Sequence, residues 1–213
     1  MRGAASLLLA ASLAGCVAAI ATGSLFGCTD QNARYREALA HMEALERQSD
    51  AEFDAARAHQ AEILAPGNWP RDAAPAPAPA ALLNHLDAAG RHMQRAATIQ
   101  EQRIGAEREI LALPLLDGAV DTRILFHMDL EAQQAKGELF AVTLEMYTSL
   151  LEKARTGDRD GYAALLPVYA AGIEAGNRRY QELDSARQEY QQKRLAPPSG
   201  AAQPPFAAER TGI

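Results

Sequence analysis

From Gln31 to Leu195 the apolar residues recur at alternating spacings of three and four, the period of a helix that buries one face. Punctuation divides this pattern into four segments. The first, about Gln31 to Ala65, carries Tyr35, Ala38, Met42, Leu45, Phe53, Ala56 and Ile63. Thr29 or Asp30 is its expected N-cap and Pro66-Gly67 its stop. Its stripe is interrupted at Ser49, where Ser49-Asp50-Ala51-Glu52 has capping-box spacing and predicts a kink or restart. The second, about Ala80 to Ala112, repeats Leu82, Leu86, Ala89, Met93, Ala97, Ile104 and Leu111. The third, about Asp121 to Thr156, has the clearest stripe, from Ile124, Leu125 and Met128 through Ala132, Ala135, Leu139, Val142, Met146 and Leu150, and Gly157 closes it. The fourth, about Asp160 to Leu195, is marked by Tyr162, Leu166, Tyr169, Ile173, Gly176, Tyr180, Leu183 and Tyr190. Pro167 is expected to kink or restart it near its beginning.

Val, Ile and Thr are sparse and no run alternates cleanly, so the fold class is all-α. Between the first two segments, residues 66–79 alternate Ala and Pro and read as an extended linker. Beyond Pro197, Pro, Gly, Ala and Ser dominate, and residues 197–213 read as a disordered tail. Long segments joined by short turns favour antiparallel neighbours, so residues 28–196 are expected to form one elongated up-down-up-down four-helix bundle. Each helix would span roughly 50 Å at ~1.5 Å per residue.

The first 27 residues depart from this pattern. Arg2 precedes an uncharged, mostly apolar run from Gly3 to Thr29, which describes an export signal and not part of the folded domain. Leu13-Ala14-Gly15-Cys16 and Leu25-Phe26-Gly27-Cys28 both resemble the lipobox of bacterial lipoproteins. The resemblance implies a diacylglycerol on the cysteine thiol, cleavage just before that cysteine, and acylation of the new amino terminus with a palmitate-type chain. Leu-Ala-Gly-Cys is nearer the pattern, because Phe26 is bulky where a small residue is usual. Geometry favours the other box. A helix rising from Ala4 reaches Cys16 after about 18 Å and Cys28 after about 36 Å, against a hydrocarbon core about 30 Å thick. With Arg2 at the cytoplasmic face, Cys28 falls at the outer surface, and the chain turns polar at once with Thr29-Asp30-Gln31-Asn32. Residues 1–27 are therefore read as the signal and Cys28 as the lipidated residue, with Cys16 the alternative. An uncleaved anchor or a plain signal peptide cut near Ala21-Thr22-Gly23 are the competing readings. In proteobacterial lipoproteins an Asp directly after the cysteine tends to hold the protein at the inner membrane. Thr29 stands there instead, which implies the outer membrane and a periplasm-facing domain.

Charge and chemistry narrow the function further. The net charge is −6 and no basic patch offsets it, which argues against nucleic acid as a partner. Neither cysteine lies beyond residue 28, so the domain has no internal disulfide and must be held by packing. No Glu-x-x-His pair, Cys-x-x-Cys-His, His-x-x-x-His, phosphate loop or nucleophile elbow occurs, so an enzyme is not expected and no cofactor is implied.

His41-Met42, His92-Met93 and His127-Met128 repeat a pair of copper-type ligands. Their levels in an up-down bundle allow His41, Met42, His127 and Met128 to share an ion, with His92 some 15 Å higher. The ordinary reading is that each Met fills the core and each His flanks it, so no metal is favoured. Trp69, in the linker, is a candidate partner contact or a cap on the end of the bundle. The tyrosine row of the fourth segment either lines a ligand groove or packs in the core. The sequence thus points to a non-enzymatic envelope lipoprotein, held to the bilayer by an N-terminal acyl-cysteine and acting on an unknown protein partner. The alternative is a bundle that binds a small apolar ligand or a metal.

Overall fold

The computed structural model describes residues 28–65, 69, 77–114 and 119–195. They form four long helices: α1 (Cys28–Leu64), α2 (Ala80–Leu111), α3 (Val120–Thr156) and α4 (Arg159–Leu195). Helix α1 packs on α2, α2 on α3 and α3 on α4, giving the all-α four-helix bundle that the periodicity predicts. The three helices of 37 residues each run about 55 Å. Among the described residues none of the helices is long and apolar enough to cross a membrane. The leader, most of the linker and the tail lie outside the described residues.

Helix ends follow local chemistry at the α3/α4 turn. Gly157 adopts the left-handed conformation at φ 76°, which an L side chain resists, and so ends α3 where the sequence places the stop. One residue later the Asp158 carboxylate accepts the Gly161 amide hydrogen at 2.9 Å, capping the first turn of α4.

Four local expectations are corrected. Helix α1 passes Ser49 without a restart, and because it already begins at Cys28, neither Thr29 nor Asp30 stands before it as a cap. Helix α4 stays helical through Pro167. Proline lacks the amide that would bond the carbonyl four residues back, but here it lies on an exposed face where that carbonyl is not forced into a core. Ile124, expected in the stripe of α3, is exposed, while Thr122, Asp129 and Gln133 are buried on that helix.

The core is divided. Toward the linker end, Leu82, Leu86, Met93, Phe140, Tyr147 and Leu150 lie in one apolar cluster. Toward the Cys28 end, Tyr35, Met42, Ile110 and Phe126 form a smaller one, with Tyr35 and Phe126 edge to face at 6.3 Å. Between them the core is polar. The interruption at Ser49 marks this belt: Ser49 is fully buried against the Ala96 carbonyl and Gln100, and Gln100 donates to the Gln133 carbonyl and side chain, both at 2.9 Å.

Candidate functional site

Helices α1 and α4 are not among the closely packed pairs, and an opening lies between them. Near the linker end the opening becomes a groove of about 640 Å³. Met146, Tyr147 and Leu150 of α3 form its floor, Ile63 and Leu64 of α1 one wall, and Leu166, Pro167, Ala170 and Ile173 of α4 the other. The rim is polar: Gln60, Asn177, Gln181 and the Glu174–Arg178 ion pair. An apolar floor within a polar rim, at this volume, is the usual make-up of a small-ligand site.

Two features of sequence shape it. Gly172 and Gly176 let α4 approach α3 closely; a Cβ on Gly176 would lie 3.1 Å from the Leu139 Cδ1. Helix α4 thereby lies close on α3. Its groove-facing side is then lined by residues, Pro167 and Ala170 among them, that fill little space.

Beyond the groove toward Cys28, a buried ion network ties all four helices. Arg103 of α2 is fully buried and bonds Glu107 at 2.8 Å and Asp129 of α3 at 2.6 Å, with Glu46 of α1 at 3.8 Å. Asp129 Oδ1 stands 2.8 Å from Arg187 of α4, which also pairs with Asp184 at 2.5 Å. Burial alone would raise the Asp129 pKa, but the Arg103 and Arg187 guanidiniums hold it below the ordinary 3.8. Glu107 goes the other way: burial and the Asp129 charge push its pKa above the ordinary 4.5, so it acts as a neutral acid hydrogen-bonded to the Asp129 carboxylate. This network lies apart from the residues that line the groove. It sets the register of the helices.

The residues singled out from sequence fall in different places. Cys28 is the first residue of α1, and Cys16 lies outside the described residues. Trp69 packs on the linker end, edge-on to Tyr162 at 5.5 Å with the Arg159 guanidinium 5.3 Å over its ring. Met42 is in the smaller core cluster and Met128 is half-buried, while His41 and His127 are exposed on α1 and α3. Among the described residues no group of three or more His, Cys, Asp or Glu is placed to hold a metal ion.

The tyrosine row does not line the groove. Tyr162 is buried under Trp69, Tyr169 meets Ser149 at 3.1 Å, and Tyr190 donates to Asp121 at 2.6 Å. Sequence reasoning missed the groove floor, since Met146 and Leu150 read as ordinary core and Tyr147 was not singled out. It also missed the buried charges, although Met93, Ala96, Gln100, Arg103, Glu107 and Ile110 continue one three-and-four series along α2. No protein-family model matches the chain, and neither a curated protein nor a solved structure matches it.

Proposed function

We propose that the chain is a non-enzymatic, lipid-anchored module of the bacterial cell envelope, a helical post that docks a protein partner on the periplasmic side. The observation that carries this reading is that α1 starts at Cys28 and runs 37 residues without a break. A lipid on Cys28 would join the bundle with no loop between, and Ile63 in the groove would stand about 50 Å along the helix from it. The groove therefore faces a partner beyond the membrane surface and not the protein's own bilayer. The net charge of −6 also suits a partner other than nucleic acid or anionic lipid.

Membrane fractionation of the full chain against Cys28→Ser tests the anchor: wild type is expected with the outer membrane and the variant in the soluble fraction. Equal partition of the two would refute it. A photo-crosslinker at Ala170 is expected to capture a defined envelope protein, and a scan that yields none argues against docking at this face.

The groove also favours a second reading, a small apolar ligand held between the helices, because its volume of about 640 Å³ lies within the range of such sites. Native mass spectrometry of detergent-free protein is expected to show a stoichiometric small molecule if this reading holds. Ala170→Trp, which fills the groove, should abolish that adduct.

A further inference from the structure

Three of the five histidines, His59 of α1 and His85 and His92 of α2, gather on the α1/α2 seam, apart from the groove lining and the buried ion network. Antiparallel packing brings them there. His59 precedes the end of α1 by five residues and His85 follows the start of α2 by five; Glu52 and His92 stand twelve from the same two ends. Each pair thus shares a level. The Nδ1 atoms of His59 and His85 lie 3.0 Å apart, and Nδ1 of His92 lies 2.6 Å from Glu52. The His59 ring centroid is 5.3 Å from that of His85 and 6.0 Å from that of His92.

We propose that His59 and His85 chelate one divalent transition-metal ion through their Nδ1 atoms, clamping α1 to α2 beside the linker. Two imidazole nitrogens each about 2.0–2.1 Å from one ion, as adjacent ligands, lie about 3 Å from one another. The side chains already hold that separation. Without metal the two Nδ1 atoms share one hydrogen bond, donated by one ring and accepted by the other; the ion would displace that proton and take both lone pairs. Glu52 is committed to His92 and, at 2.9 Å, to Arg95. No third protein ligand completes the set among the described residues, so water fills the remaining positions and the site is open. Imidazole ligation with water suits copper, nickel or zinc and not magnesium or calcium. The ion joins residues on either side of the linker, so binding to the folded chain alone raises its melting temperature.

The test uses the untagged full chain, stripped with a chelator and titrated with Zn²⁺ by calorimetry and with Cu²⁺ by electron paramagnetic resonance. One equivalent is expected to bind, the copper spectrum to show two coordinated imidazole nitrogens, and Tm to rise. His59→Gln and His85→Gln should each weaken binding at least about tenfold, while His41→Gln/His127→Gln leaves it unchanged. The wild-type copper spectrum reads the ligands even if a variant fails to fold. No binding at micromolar metal, a spectrum without two imidazoles, or loss of binding in His41→Gln/His127→Gln alone would overturn the proposal.

Discussion

Asp129 holds two buried guanidiniums, Arg103 and Arg187, and no neighbouring carboxylate replaces it between them. Asp129→Ala removes the bridge but leaves Arg103 with Glu107 and Glu46 and Arg187 with Asp184, so it is expected to destabilise the fold by about 1–3 kcal/mol, read as the shift of a urea unfolding midpoint. Glu107 should behave oppositely. Its folded pKa lies above its unfolded value, so its contribution to stability is present in acid and is lost as pH rises above its ordinary 4.5. Glu107→Gln keeps the neutral, hydrogen-bonding shape without the titration. Its unfolding free energy is expected to decline less than wild type's between mildly acidic and alkaline pH; an identical decline would refute a protonated Glu107. For His59 the folded pKa is depressed, so the stability it contributes above pH 6.5 is lost as pH falls below that value. His59→Gln should flatten that acid limb of the Tm profile.

At the scale of the element, the α3/α4 contact depends on residues too small to keep the helices apart. Gly176 sits where a Cβ would meet Leu139 at 3.1 Å, so Gly176→Leu is expected to overpack this contact and cost about 1–3 kcal/mol. Because α4 would be displaced from α3, the groove's walls should shift as well, changing the binding of an apolar dye such as anilinonaphthalene sulfonate. Unaltered stability would show that α4 does not rest on α3 as described. The helices themselves were readable in the chain, because Met42, Leu86, Met93, Leu139 and Leu150 keep a helical period that local sequence alone carries. Ser49 and Pro167 misled for one reason: both are local breaking signals, and the outcome depends on surroundings that the local sequence does not contain. Ser49 finds a buried partner in Gln100, and Pro167 lies on an exposed face.

At the scale of the molecule, the bundle is two apolar clusters joined by a polar belt, with a groove near the linker end. Its all-α class and helix order were legible from turns and period. The groove was not, since it is lined by residues of three helices whose spacing local sequence does not contain. The histidine pair was legible in principle, from equal distances to the linker on two antiparallel helices. The His-Met pairs were a more conspicuous repeat, yet Met42 and Met93 turned to the core and Met128 is half-buried.

In the proposed function the long axis of the bundle runs from an acylated Cys28 to the groove beside the linker. Intact mass of the protein extracted from the membrane fraction tests this most directly. It should give a chain beginning at Cys28 that carries a diacylglyceryl group and an amide-linked fatty acid, and Cys28→Ser should lose both. A mature chain that keeps residues 1–27, begins at Cys16, or carries no lipid would contradict it.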